Sequence, residues 1–211
     1  MNYMIHLTPK REWYVENYLI PSMLAQGIAR SEISLYNDTK GEGNLKACMN
    51  AFSQVPDDES GTWHLQDDVI ICSDFKERTQ AYDKGLVCGF SSKMYDGDSQ
   101  TGNVSVWEMW FSFPCIRIPN QYALECSKWV TKYVIGNPVY RNYWEKGVND
   151  DWMFRQYLRQ FHMKERAINL APNLVDHIDY LITGLGKRSE PCRSQYWEDE
   201  DLVTELEEKL K

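Results

Sequence analysis

Several common catalytic signatures are missing from the sequence. There is no Gly-x-Gly-x-x-Gly and no Gly-x-x-x-x-Gly-Lys-Ser/Thr segment, which argues against a dinucleotide-dependent dehydrogenase and a P-loop NTPase. The Gly-x-Ser-x-Gly turn of the α/β-hydrolases is also missing. None of the 6 cysteines forms a Cys-x-x-Cys pair, so we predict reduced, buried thiols rather than disulfides or zinc ligands.

Long apolar runs and a signal-peptide core are missing as well. No run approaches the roughly 18 residues of a membrane span, and the first ten residues carry no apolar core. We therefore expect a cytoplasmic protein with no membrane span, and nothing in the sequence implies an obligate protein partner. The 211 residues are 43% hydrophobic and 26% charged, as in an ordinary globular domain. Aromatic residues make up 13%, which suggests a cleft lined by rings.

Charge is unevenly distributed along the chain. The net charge is -8, from 23 Lys and Arg against 31 Asp and Glu. Residues 198–211 hold seven acids and two bases, a net of -5, whereas residues 117–166 hold nine bases and five acids. A polyanionic partner such as DNA is thus possible, although the overall charge does not favour one.

The hydrophobic pattern alternates between strand and helix periods. Strands are predicted at 3–7, 32–36, 63–71, 85–90 and 167–171, with a β-rich ribbon interrupted at Pro114 over 104–118. Helices are predicted around 15–23 (kinked by Pro21) and at 45–52, 75–82, 122–133, 150–161 and 199–211. Strand–helix–strand repeats predict an α/β fold with a mostly parallel central sheet flanked by helices and a mixed second half.

Two adjacent carboxylates, Asp67 and Asp68, stand inside an apolar segment. An unpaired buried charge is costly, so a strand interior is a poor place for both. At the carboxyl end of a parallel strand they would open into the crevice where α/β sheets bind ligands. Their hard oxygens suit Mg²⁺ or Mn²⁺ together with a phosphorylated substrate. The alternative is a turn in which they cap the next helix.

Four further acidic or histidine positions are candidate functional residues. Asp150 and Asp151 begin a predicted helix, where carboxylates stabilise the N-terminus, but one of them could act as a general base. His177 lies in an apolar setting and is either a core histidine or a metal ligand. Asp38 ends the second strand, where it can accept hydrogen bonds.

The order of these motifs resembles the GT-A glycosyltransferases, and more narrowly the small glycosyltransferases encoded by tailed bacteriophages. The resemblance covers the chain from Met4 to about Gly184. They are Thr8-Pro9-Lys10-Arg11, Asp38, Gly43-Asn44-Leu45-Lys46, Leu65-Gln66-Asp67-Asp68, Asn149-Asp150-Asp151-Trp152 and Pro172-Asn173-Leu174-Val175-Asp176-His177. The resemblance implies a catalytic domain over 1–184, with a donor-binding half (1–103) and an acceptor-binding half (104–184), followed by an acidic extension over 185–211.

The resemblance also implies a role for each motif. Nucleotide-sugar binding falls to Thr8, Pro9, Arg11, Asp38, Lys46, Gln66 and Asp67. Asp68 and His177 would bind the divalent metal, and Asp151 or its neighbour Asp150 would deprotonate the acceptor. Gln66 departs from the pattern, since the family usually has an acid there. Stacking surfaces are expected from some of Trp107, Trp110, Tyr143 and Trp144.

The implied activity is metal-assisted transfer of a sugar from a nucleotide-sugar, with a UDP-sugar favoured as donor. Hydroxymethylated pyrimidines in phage DNA are one plausible acceptor, and a protein, a polysaccharide or a small molecule is another. A nucleotidyltransferase and a non-catalytic nucleotide-sugar-binding module remain as alternative functions.

Overall fold

The computed structural model describes residues 1–90, 101–105, 113–141 and 150–178, with the single positions Thr204 and Glu208. The strands are β1 (Asn2–Leu7), β2 (Ile33–Asn37), β3 (Gly61–Gln66), β4 (Val69–Ile71), β5 (Leu86–Cys88), β6 (Gly102–Ser105), β7 (Cys115–Pro119), β8 (Arg166–Asn169) and β9 (Val175–His177). The helices are α1 (Glu12–Tyr14), α2 (Ile20–Ala25), α3 (Asn44–Phe52), α4 (Phe75–Ala81), α5 (Asn120–Tyr133) and α6 (Asp150–Phe161).

A seven-stranded sheet in the order β2-β1-β3-β7-β5-β8-β6 forms the centre of the molecule. The pairs β1–β2, β1–β3 and β5–β8 are parallel, while β7 and β6 run antiparallel to their neighbours. Five of the seven strands therefore point the same way. This confirms the predicted α/β fold with a mostly parallel sheet and a mixed second half.

Two hydrophobic cores cover the sheet, because alternate strand residues face opposite sides. One core joins Tyr3, Ile5 and Leu65 to residues of α1, α2 and α4. The other joins Ile116 and Ile118 of β7 to α3, α5 and α6. Both faces are thus buried by helices, as expected for an α/β sheet.

The first helical region is irregular. Between α1 and α2 the chain forms a π-helical turn, Val15–Leu19, in which the Ile20 N–H donates to the Val15 carbonyl. Pro21 has no N–H to donate, and it lies directly after this π-helical turn, at the second residue of α2. The predicted irregularity is present, but the wide turn precedes the proline.

One predicted strand is wrong, and one observed strand was not predicted. The segment 63–71 is not one strand: the chain bends at Asp67 and Asp68, and β4 leaves the central sheet to pair antiparallel with β9. The β9 strand was not predicted. Of the ribbon 104–118, only its two ends lie in described residues, in β6 and β7.

The later helices agree with prediction. Residues 150–161 form α6 with the predicted boundaries, and 120–133 form α5. Cys48, Cys72, Cys88, Cys115 and Cys126 are buried and reduced, as predicted, and Cys192 lies outside the described residues. The acidic extension lies outside them too, except for Thr204 and Glu208, which are helical. Among the described helices, none combines the length and apolarity needed to cross a membrane.

Candidate functional site

The candidate site lies at one edge of the sheet, where β1, β2 and β3 end side by side. These strands are parallel, so the loops that follow them meet at this edge. The first two loops are directly joined, because the Asp38 N–H donates to the Leu7 carbonyl at 2.9 Å. Thr8, Asp38 and Asp67 are thereby gathered from three separate parts of the sequence.

Asp67 is fully engaged by the loop after β1. Its Oδ2 accepts from the backbone N–H of Thr8 at 2.6 Å and from the Thr8 hydroxyl at 2.7 Å. Its Oδ1 accepts from Nη1 of Arg11 at 2.7 Å. Pro9 begins the short 3₁₀ helix Pro9–Arg11, which directs the arginine toward this carboxylate.

Asp68 has one engaged oxygen and one without a partner. Its Oδ2 lies 2.6 Å from Nη1 of Arg11 and 3.1 Å from Nε2 of His177. Its Oδ1 is buried and has no hydrogen-bond partner. Asp67, Asp68, Arg11 and His177 are only 3%, 4%, 5% and 7% exposed, so water does little to screen these charges. We call these four residues, with Thr8, the acidic cluster.

The pKa values of the two carboxyls are shifted in opposite directions. Burial raises the pKa of Asp67, and the neighbouring Asp68 charge adds to this, outweighing the guanidinium of Arg11. Burial also acts to raise the pKa of Asp68, but His177 and Arg11 outweigh it and leave the pKa below its usual value. The lowered pKa favours the ionised form of Asp68, which a cation ligand requires.

The pairing of β4 with β9 brings His177 to Asp68. Val69 is opposite His177 in this pair, and the Ile178 N–H donates to the Asp68 carbonyl at 2.9 Å. Arg78 of α4 supports the approach to β9 by donating to the carbonyls of Pro172 and Asn173. Two residues 109 positions apart in sequence thus meet through a short antiparallel pair.

The donors of the cluster fit part of a divalent-cation site. Ligands about 2.1 Å from an octahedral ion lie about 3.0 Å apart in neighbouring positions, close to the 3.1 Å between Asp68 and His177. The unpartnered Asp68 Oδ1 is a further available oxygen. Nevertheless, no group of three or more His, Cys, Asp or Glu within the described ranges is arranged to hold a metal. The remaining positions would belong to water and substrate phosphates.

A polar cleft of about 280 Å³ lies beside Asp38, between the end of β2 and α3. It is lined by Tyr36, Asn37, Asp38, Thr39, Lys40, Glu42, Asn50, Ser53 and Gln54. Asp38 shapes its own loop, since its Oδ1 accepts from the Glu42 N–H at 3.1 Å. A buried Asn37 Oδ1 without a hydrogen-bond partner leaves an acceptor at this cleft.

The other predicted donor-binding positions lie around the same edge. Lys46 is half-buried in the first turn of α3, which follows Gly43 at a φ of 87°. That left-handed backbone suits glycine and turns the chain into the helix. The Gln66 N–H donates to the Pro114 carbonyl at 3.2 Å, ending β3 against the loop before β7.

Asp150 and Asp151 lie at the start of α6. This helix packs with α3 and α5 on one face of the sheet, whereas α1, which follows Arg11, packs on the other face. Asp150 Oδ1 accepts from the Asp151 N–H at 3.0 Å, and the Cys48 thiol also contacts Asp150. Burial, with the charge of Asp151, raises the pKa of Asp150 to about 7. Burial likewise raises the pKa of Asp151. These contacts stay within α3 and α6 and do not include the acidic cluster.

Sequence reasoning missed two features of this edge. It assigned Arg11 to the nucleotide and did not predict its ion pairs with Asp67 and Asp68. It also overlooked a histidine pair, in which Nε2 of half-buried His6 lies 2.9 Å from Nδ1 of buried His64. His64 stands between Trp63 and Leu65 in an apolar segment, and this setting could have predicted its burial. The predicted stacking residues Trp107, Trp110, Tyr143 and Trp144 lie outside the described residues.

No protein-family model matches the chain, and no curated protein matches it. Several solved structures are similar, and three of them are each 12% identical to this chain. Protein A197 from STIV has a TM-score of 0.46, over 84% of this chain and 86% of that one. A Drosophila β-1,4-galactosyltransferase 7 mutant, in complex with manganese, UDP-Gal and xylobiose, has a TM-score of 0.49, over 96% and 79%.

The galactosyltransferase LgtC, in complex with donor and acceptor sugar analogues, has a TM-score of 0.40, over 100% of this chain and 96% of that one. With TM-scores below 0.5 and low identity, none of these similarities establishes an activity for this chain. Any function must be argued from the residues of the site.

Proposed function

We propose that this protein is a glycosyltransferase, which moves a sugar from a nucleotide-sugar donor to an acceptor hydroxyl. A UDP-sugar is the donor that we favour. The observation that carries the proposal is the acidic cluster at the carboxyl edge of the sheet, where Asp68 and His177 meet beside Arg11. A purely structural strand end gains little from two buried carboxylates and a buried arginine, because desolvation offsets most of their attraction.

The chemistry of sugar transfer explains this arrangement of charge. Breaking a sugar–diphosphate bond leaves negative charge on the nucleoside diphosphate, which nearby positive groups stabilise. Asp68 and His177 would hold Mn²⁺ or Mg²⁺, which supplies that positive charge when bound. Lys46, in the first turn of α3, would add a cation at the same edge.

The nucleoside would lie against the loops after β1 and β2. Asp38 and the adjoining cleft offer carboxylate and amide oxygens, which accept hydrogen bonds from ribose hydroxyls. Thr8 and Pro9 would shape this pocket, while Gln66 and Asp67 would line the side nearest the sugar. Arg11 would contribute to binding the donor from the base of the pocket.

The acceptor hydroxyl needs a base as it attacks the sugar. A carboxylate with a pKa near the working pH is well suited, because it is largely ionised yet still basic. Asp150, with its pKa raised to about 7, meets that requirement, and Asp151 is the neighbouring candidate. In an inverting transfer, the hydroxyl proton would pass to the carboxylate as the hydroxyl oxygen bonds to the anomeric carbon and the bond from that carbon to the diphosphate oxygen breaks.

The acceptor we propose is a hydroxymethylated pyrimidine in phage DNA. The support is the surplus of bases over acids in residues 117–166, since Lys and Arg are what phosphate backbones bind. A protein, polysaccharide or small-molecule acceptor is the alternative, and the identity of the glycosylated product would decide between them.

The test is a donor screen with product identification. The protein is incubated with Mn²⁺ and a panel of nucleotide-sugars, with and without hydroxymethylated DNA, and products are identified by mass spectrometry. Released nucleoside diphosphate supports glycosyl transfer, pyrophosphate would indicate a nucleotidyltransferase, and no product with retained binding would indicate a binding module. Asp68→Asn should abolish release, whereas the same change at exposed Asp57 should leave it intact.

A further inference from the structure

Arg11 occupies the position at Asp68 that a divalent cation needs. The oxygen that faces His177, Asp68 Oδ2, is also the oxygen 2.6 Å from the Arg11 guanidinium. This inference rests on the proposed function, because it takes Asp68 and His177 as the cation ligands. It concerns the effect of the Arg11 guanidinium on a cation that binds Asp68.

A guanidinium and a divalent cation compete for this oxygen. Arg11 and Asp68 are almost completely buried, so little water would screen the repulsion between two positive groups a few ångströms apart. Arg11 also pairs with the second carboxylate, Asp67. Binding of a cation at Asp68 Oδ2 is therefore opposed for as long as Arg11 stays on that oxygen.

The hydrogen bonds of the cluster confine the exchange to Asp68. Asp67 is held by both the backbone N–H and the hydroxyl of Thr8, so it keeps its place without Arg11. Asp68 has no such support for Oδ1, which is buried without a hydrogen-bond partner. An incoming cation gains an otherwise unused oxygen at Asp68, whereas it would have to break two hydrogen bonds at Asp67.

We propose that Arg11 is a built-in counter-ion of Asp68, and that a divalent cation binds this site in competition with it. In the cation-free protein Arg11 offsets one of the two carboxylate charges and stabilises the fold. The cation takes over that role at Asp68 when it binds. Metal affinity is thus weakened by a residue of the chain itself.

The experiment measures Mn²⁺ binding without any turnover, from the loss of the free Mn²⁺ electron paramagnetic resonance signal. Thermal unfolding is followed in parallel with and without Mn²⁺. The proteins are the wild type, Arg11→Gln, Asp68→Asn, and the control Arg30→Gln at an exposed arginine. The double variant Arg11→Gln/Asp67→Asn removes one charge of each sign, so the cluster keeps its net charge. It replaces Arg11→Gln if that single variant does not fold.

We expect Arg11→Gln, or the double variant, to bind Mn²⁺ at least about tenfold more tightly than the wild type. Its lowered melting temperature should recover with Mn²⁺, while Arg30→Gln behaves as wild type and Asp68→Asn does not bind. Equal affinity in the wild type and the Arg11 variants, with loss in Asp68→Asn, would overturn the competition but leave the proposed metal site standing. No Mn²⁺ binding in any variant would overturn both.

Discussion

Acidification should destabilise the strands that carry the candidate site, through the pair formed by His6 and His64. His6 and His64 lie on β1 and β3, near the ends from which Thr8 and Asp67 follow, and their rings are 2.9 Å apart at the nearest nitrogens. His64 is 1% exposed and packs edge-on against Phe52. Burial lowers the pKa of His6 from 6.5 to about 4 and that of His64 well below its usual value.

The size of the effect follows from proton linkage. In the unfolded chain His6 titrates near 6.5 and in the folded chain near 4, so between these values the unfolded state binds more protons. Stability is therefore complete above about pH 6.5 and is lost as the pH falls toward 4. For His6 alone, the loss between pH 8 and pH 5 is about 2 kcal/mol. His64 acts in the same direction.

The assay is urea unfolding at pH 8 and pH 5 for the wild type and His6→Gln. Comparing the pH dependence of the two proteins cancels other groups, including Asp150, whose raised pKa acts in the opposite direction. The difference in unfolding free energy between the two pH values should be smaller by about 2 kcal/mol in His6→Gln. An unchanged difference, or an NMR titration placing the pKa of His6 near 6.5, would refute the reasoning.

Three further changes test the site and its supports. Asp68→Asn should abolish transfer. It should also lower the unfolding free energy by about 1.5–3 kcal/mol, because charged hydrogen bonds to Arg11 and His177 are lost. An unchanged unfolding free energy in urea melts would contradict the contacts of Asp68 with these two residues. Asp150→Asn should suppress transfer while donor binding, measured by calorimetry, persists. Wild-type turnover should rise with pH through about 7. Equal loss of donor binding and transfer in the variant would assign Asp150 to helix capping. Arg78→Met should destabilise the fold by about 1–3 kcal/mol and weaken Mn²⁺ binding, since its two acceptor carbonyls lead into β9; unchanged Mn²⁺ titration would exclude this positioning role.

Local patterns were sufficient to predict the main elements of the fold. The period of apolar residues and the acids at its start predicted α6 with its observed limits. Alternating strand and helix patterns predicted the sheet, and the position of Asp67 and Asp68 at the end of a buried run predicted that they lie at the carboxyl edge of that sheet. These features depend on residues close together in sequence.

Features that depend on distant residues could not be predicted in this way. The strands β4 and β9 have three residues each, too few to show a period. Only their pairing brings His177 to Asp68. The ion pairs of Arg11 with acids 56 and 57 positions later follow from the tertiary fold, and a carboxylate pair in sequence carries no sign of its counter-ion.

The central claim is that Asp68 is the centre of a site for a nucleoside diphosphate and a divalent cation. Calorimetric titration of UDP into the protein, with and without Mn²⁺, tests this most directly when the wild type and Asp68→Asn are compared. We predict that Mn²⁺ strengthens UDP binding to the wild type and has no such effect on folded Asp68→Asn. The same Mn²⁺ dependence in both proteins, or none in either, would contradict the claim.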